Sequence, residues 1–260
     1  MNLNSVSLQR VIQHVGVFLL IPIIGYLFYL NTAVYYLASI TSIILISKVG
    51  GSIGNHRYFS HRSFKMVKWK ENIVAVLAHL STSGTTLQYV TVHRYHHANS
   101  DNGKDLHSPY EIGRYRSFFH WYATDPSTVA GFKYIKDLLR NSFILKLHQY
   151  YFVVIALYIS VLLLIDPLLV LFCYLLPAGY TWFIGGVLSM PLHLKNQGYR
   201  NFDTDDCSIN SYFWNVLTLG EGLHNNHHAQ PAQYNFAFTK KSGEWDFSAW
   251  IIDKFLIEKS

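Results

Sequence analysis

Residues 11 to 47 contain no Asp, Glu, Lys or Arg, and this run of 37 residues constrains the fold more than any other feature of the chain. It divides at Asn31 and Thr32 into 11–30 and a second stretch that reaches about Gly51, past Lys48. A bilayer core about 30 Å thick is crossed by about 20 apolar helical residues, so the run reads as two spans joined by a tight turn. Lys48, near the end of the second, is expected to snorkel to the interface. A second charge-free pair, 147–165 and 167–194, is split at Asp166 and Pro167. Backbone in lipid has to satisfy its own hydrogen bonds, so all four stretches are expected to be helices. Burial inside a soluble core is the competing reading, and the length and pairing of the runs argue against it. The first run is also too long for a signal peptide, and no small-residue cleavage site follows it.

The polar remainder is segregated from these runs. Charged residues make up 14% of the chain, against about 25% in soluble domains, yet mean hydropathy is only +0.15. Of 21 Lys and Arg, 13 lie between Arg57 and Lys146 and six between Lys195 and Lys259, with none in either hairpin turn. The positive-inside rule therefore puts both termini and the 52–146 segment in the cytosol. The net charge of +6 is read as this orientation signal, and nucleic acid is not an expected partner. Residues 72–93 are uncharged as well, but their second half is polar, so they are expected to lie along the cytosolic interface. The expected architecture is all-α and single-domain over 1–260. Transmembrane helices fall at about 11–30, 32–51, 147–165 and 167–190, and a cytosolic helical cap comprises 52–146 and 191–260.

Two cysteines exclude a disulfide framework or a Cys-rich metal site, whereas 14 histidines stand out. Three clusters hold most of them: HRYFSH with His56 and His61, HRYHH with His93, His96 and His97, and HNNHH with His224, His227 and His228. His193 ends the fourth apolar run. By the charge-derived topology all nine lie on the cytosolic side. Residues at i, i+3 and i+4 share a helix face, so each HxxHH offers up to three imidazoles to one pocket. The i, i+5 pair of the first cluster is about 140° apart on an ideal α-helix and must straddle a site or sit where the helix bends. His14, His79 and His148 are read as ordinary core or interface residues, with His107 and His120 left open.

Burying eight or nine converging imidazoles is costly without a partner, and a metal ion supplies one. One zinc with four ligands would leave half the set idle, so the number points to two metals. Imidazole accepts iron, zinc and copper, and redox chemistry is the expected use. Asp101, Asp105 and Glu221 are candidate acceptors for the ligands' ring N–H groups.

The ordered boxes HxxxxH, HxxHH and HxxHH on four spans resemble the membrane-bound fatty acyl desaturases, the stearoyl-CoA (delta-9) branch in particular. NHRYFSHRSFK at 55–65, HRYHHANSDNGKDLHSP at 93–109, and GYRNFDT with GEGLHNNHHAQP within 198–231 carry the resemblance, which extends over about 10–255. It implies a non-haem di-iron centre bound by His56, His61, His93, His96, His97, His193, His224, His227 and His228; zinc can substitute for iron in a recombinant sample. The implied reaction uses dioxygen and two delivered electrons to remove two hydrogens from an unactivated acyl chain, leaving a cis double bond. Front-end desaturases have Gln where this chain has His224, and delta-12 and omega-3 types have a shorter first box. Both features favour desaturation near the ninth carbon.

The chain departs from the branch at Ser189, where the acyl-CoA enzymes have an Asn that reaches one metal through water. No cytochrome domain is appended, so electrons are expected from a separate donor such as cytochrome b5 or ferredoxin with its reductase. Arg57, Arg62, Lys65, Lys68 and Lys70 are candidates to hold the phosphate of an acyl carrier: CoA, acyl carrier protein or a lipid headgroup. The ordinary basic collar of a membrane protein accounts for them equally well. Ile40 and Ile44, roughly 18–24 Å along the helix from His56 at 1.5 Å per residue, are candidates to close the acyl tunnel. The implied location is a bacterial inner membrane or the endoplasmic reticulum. A related di-iron hydroxylase, acetylenase or decarboxylase is the alternative reading. A membrane metal-binding or transport protein is a distant one, because a transport path would need ionisable residues at mid-bilayer.

Overall fold

A computed structural model describes residues 33–120 and 131–258. Among them the protein is helical and has no strand, only isolated bridges linking Asn210 to Tyr199 and to Leu223. Two helices are long and apolar enough to cross a bilayer: α1 (Ala33–Ser60, 28 residues) and a second over Pro167–His193 (27 residues). The first expected span, 11–30, lies outside the described residues. The third expected span differs from its expectation. Tyr150 leaves the helical conformation, and the chain bends by 73° between Ser142–Gln149 and Tyr151–Ile165. Residues 147–149 thus belong to a separate short helix, whose N-terminal amides are capped by Asn141 and whose Leu147 packs into the main core. The 15 residues that remain are short of the roughly 20 that a perpendicular crossing needs, but the two bent pieces together are long and apolar enough for one broken span or a re-entrant loop.

The second expected span does not stop near Gly51. Helix α1 runs on past His56 to Ser60, with His61 as its C-cap, and Ile43–Ser60 is wound as a π-helix. Its approach to α2 (Lys68–Leu80) is close because Gly50 and Gly54 carry no side chain: a Cβ on Gly50 would lie 2.3 Å from the Leu77 carbonyl oxygen. The polar run after α2 breaks the chain at Thr82 and Gly84, both with positive φ. The next helix, α3 (Thr86–Asn99), starts at a capping box between Thr85 and Gln88. Residues 72–93 are therefore two helices, neither of which meets the length and hydropathy needed to span.

Beyond them come α4 (Arg114–Phe119), α5 (Ser142–Gln149), α6 (Tyr151–Ile165), α7 (Pro167–His193), α8 (Tyr212–Thr218) and α9 (His224–Ala229). The last helix, α10, is Phe247–Ile251 continued by Ile252–Leu256. Helix α1 is central, packed against α2, α3, α7 and α10. Its start is tied to the α6–α7 turn by a hydrogen bond from the Tyr35 hydroxyl to Asp166. Apolar side chains on α1 and α6 point outward, among them Leu37, Leu157, Val161 and Leu164. The buried polar residues gather instead around the ends of α1, α3, α7 and α9, which is where the histidines are.

Candidate metal centre

Each histidine cluster reaches the interior by a local rule. On α3 and α9 the i, i+3, i+4 spacing does it directly. On α1, His56 lies in the last turn of the π-wound stretch, and His61 is the residue that caps it, its N–H turned back to the Tyr58 carbonyl; the helix end, where the winding closes, lets both rings reach the site. Ser60 Oγ donates to the Asn55 carbonyl at 2.7 Å. His193 enters from the last turn of α7. Helix α9 is delivered by a sharp reversal after α8, where Leu219 and Gly220 both take positive φ and Glu221 is turned fully inside.

The nine histidines separate into two groups. His56, His61, His93, His97 and His227 form one, and His96, His193, His224 and His228 the other; within each group one ligand atom per residue lies within 4.8 Å of the rest. The contacts are between Nε2 atoms: His61 to His93 at 2.7 Å, His56 to His227 at 2.9 Å and His97 to His227 at 3.0 Å in the first group. In the second, His224 lies 3.1 Å from both His193 and His228.

Four carboxylates fix the other ring nitrogens. The Nδ1–H of His56 donates to Glu221 at 3.1 Å, His96 to Asp105 at 2.9 Å, His193 to Asp101 at 2.7 Å and His228 to Asp206 at 2.5 Å. With Nδ1 holding the proton, each of these Nε2 atoms presents a lone pair. Lone pairs turned toward one another about 3 Å apart repel unless a cation lies between them. Nitrogens bound at about 2.1 Å to one metal stand about 3.0 Å apart at right angles, close to the spacing found. The Nδ1 atoms of His224 and His227 are buried with no hydrogen-bond partner, so those rings have no second anchor. The donor set therefore fits two cations, one with five imidazoles and one with four.

Electrostatics agree with this. Burial, followed by the charges of neighbouring rings, holds His61, His93, His97, His224 and His227 well below the usual imidazole range. Burial takes His228 down to about 4 despite Asp206. Burial lowers His96, but Asp105, with Asp101 and Asp206, raises it above the usual range on balance. Burial would raise the Glu221 carboxyl, but Arg57, Lys48 and His56 hold it well below the carboxylate range. Asp105 and Asp206 are likewise held down against burial by His96 and His228. His61, His93, His97, His224, His227 and His228 are thus biased to the neutral form a metal requires, His96 being biased the other way by its carboxylate.

All nine sequence-derived ligand candidates are thus brought together, and Asp101, Asp105 and Glu221 all bond ligand rings. Asp206 is not among the sequence-derived candidates: it sits in an irregular loop whose acidic residues have no periodicity to point inward. Replacing it with Asn is expected to weaken metal retention by the four-histidine group about 10–100-fold, measured by competition with a chelator.

The proposed carrier-binding run divides. Arg57 is fully buried, donating to Glu221 and Asp246 at 2.7 Å each and to the Tyr234 carbonyl, so it faces the interior and not a carrier. Arg62 and Lys68 lie at the surface paired with Asp137 and Glu71, Lys70 bonds the Phe255 carbonyl, and Lys65 is exposed. Lys48 does not snorkel. It is 0% exposed and bonded to Glu221, a carboxylate that is itself fully buried. His79 bonds its own helix at the Ala75 carbonyl, His148 meets Thr85 Oγ1, and His107 stacks on His96 without joining either group. His120 ends α4 beside Tyr115. Ser189, on the last turn of α7, is buried.

A small cavity of about 20 Å³ lies against the five-histidine group between α1, α3 and α7, with His56, Tyr89, Gly51, Thr181 and Leu188 in its wall. Ile40 and Ile44 are not part of this wall. Ile40 is exposed and Ile44 packs at the edge of the core.

The profile of the fatty acid desaturase family matches residues 30–240. Among curated proteins, the chain is similar to the probable lipid desaturase ADS3.2, chloroplastic, of Arabidopsis thaliana, with 32% identity over 81% of this chain and 56% of the relative. It is 34% identical to the sn-2 palmitoyl-lipid 9-desaturase of Nostoc sp., over 72% of this chain and 67% of that protein. With the sn-1 stearoyl-lipid 9-desaturase of Anabaena variabilis it shares 31% identity over 79% of the chain and 72% of the relative. The match thus spans little more than half the length of the first of these relatives.

Proposed function

Because the chain belongs to the fatty acid desaturase family, we propose that it is an oxygen-dependent acyl desaturase that introduces a cis double bond near the ninth carbon of a saturated chain. The observation that carries this reading is the convergence of nine imidazoles, Nε2 inward, beside a small cavity. When bound, a pair of iron ions supplies the oxygen-dependent oxidising chemistry that takes two hydrogens from the chain. The protein's share is binding and orientation. Glu221, Asp101, Asp105 and Asp206 hold the Nδ1 protons of four ligands and keep the rings from rotating. Burial keeps most of the remaining imidazoles neutral and water away from the reacting carbons. The acyl chain has to pass beside His56, where the cavity is too small to take it without widening, so that one methylene pair is aligned with the centre; positioning is what converts a bound chain into a reacting one.

Among CoA, acyl carrier protein and membrane lipid, a lipid-linked chain is the reading that the relatives' names favour. Electrons come from an external donor such as cytochrome b5 or ferredoxin. The proposed arrangement is one domain with four spans, the metal centre and both termini being cytosolic. Expression in a desaturase-deficient host, with mapping of double-bond position in the lipids, tests the activity. Saturated lipids alone would refute it, and a hydroxylated or triply bonded product would move the chain to the related oxygenases.

Ile44 packs at the core edge on the same helix as Gly51 and His56. On this reading Ile44→Ala opens the far end of the acyl path and moves preference toward longer chains. Gas chromatography of the products checks it, and an unchanged chain-length profile counts against a tunnel end at this position.

A further inference from the structure

Lys48 is the one charged residue in the first 24 positions of α1, and it is buried completely. An ammonium in an otherwise apolar helix is costly unless every proton is taken. Here all three are: Nζ donates to Ser52 Oγ at 3.1 Å, to the Thr218 carbonyl at 2.9 Å and to Glu221 Oε1 at 3.2 Å. Glu221 is then divided between two tasks. Its Oε1 takes Lys48, Arg57 and Ser248, and its Oε2 is left for the Nδ1–H of His56. The Thr218 contact fixes the end of α8, three residues before Glu221 and six before α9 begins.

We infer that Lys48 is a positioning residue for the five-histidine group, acting through Glu221 to orient His56. This role rests on the two-metal reading above. It has a selective signature, because the carboxylates that anchor the four-histidine group are Asp101, Asp105 and Asp206, none of which Lys48 touches. Removing the ammonium lets one metal go and leaves the other. Arg57 does not replace it, since that guanidinium is also held by Asp246 and the Tyr234 carbonyl.

The test is metal stoichiometry and release to a chelator, measured on the purified full chain in detergent after loading with ferrous iron. Wild type is expected to hold two metals. Lys48→Met is expected to keep one at the wild-type rate and to release the other at least about tenfold faster. Glu221→Gln should do the same, and the double variant should be no worse than Glu221→Gln alone, because Arg57 and Asp246 are then left as a balanced buried pair. Two metals held at wild-type rates in Lys48→Met, or additive losses in the double variant, overturn the role of Lys48. So does equal loss of both metals, or collapse of both Lys48→Met and Lys48→Gln in size-exclusion chromatography, since either marks a general folding role. A wild type that holds fewer than two metals refutes the two-metal reading itself, and the role of Lys48 with it.

Discussion

Replacing His97 or His227 with Ala is expected to abolish unsaturated product in a desaturase-deficient host, as read by gas chromatography of the lipids. The two Nε2 atoms lie 3.0 Å apart in the five-histidine group, His97 on α3 and His227 on α9. Ala is the strongest helix former, so each change removes a donor and leaves its helix intact. His79→Ala is the matched control. That ring is equally buried, but it bonds the carbonyl of Ala75 on its own helix and belongs to neither group, so product is expected to persist. Activity retained in both His97→Ala and His227→Ala would mean that the ligand assignment is wrong.

Arg57→Ala is expected to destabilise the fold more than any of the histidine changes. The guanidinium is 0% exposed, lies 3.8 Å above the Phe236 ring and bridges Glu221 and Asp246. Asp246 uses its other oxygen to cap α10 through the Ala249 amide and shares Oδ2 with the Phe236 amide, so three segments meet at this one side chain. Breaking a buried pair from one side costs about 3–5 kcal/mol, which in a chain of this size lowers the melting temperature by on the order of 10 °C. Thermal unfolding in detergent measures it. A melting point within a degree or two of wild type would show that the network is relaxed by water and is not a structural bond.

Much of the site is legible in the sequence because its signal is periodic. The i, i+3, i+4 boxes on α3 and α9 announce their shared faces, and the closeness of Asp101, Asp105 and Glu221 to those boxes marks them as partners for ligand rings. The first box is legible as composition but not as geometry. Its i, i+5 spacing conflicts with an α-helix, and the conflict is resolved because the helix ends at Ser60 and His61 caps it, an ending that no residue pattern advertises. Asp206 gives no such signal, because its position depends on how a loop folds over α9. Lys48 and Arg57 read as interface and surface residues because charge in a membrane protein is ordinarily there. Their burial depends on Glu221, more than 160 residues away. The break at Tyr150 is similar: local apolarity favours a continuous helix, and the packing of Leu147 into the core overrides it.

Both histidine groups draw on α3 and α9, so one lacks a ligand until His227 has been synthesised and the other until His228. Chains emerge from the ribosome N-terminus first, at about 5–20 residues per second. Helix α1 is therefore inserted well before the last box exists, with His56 and His61 still unpartnered. The two centres are therefore completed unequally: a nascent chain arrested before the third box carries four of the five ligands of one group but only two of the four of the other.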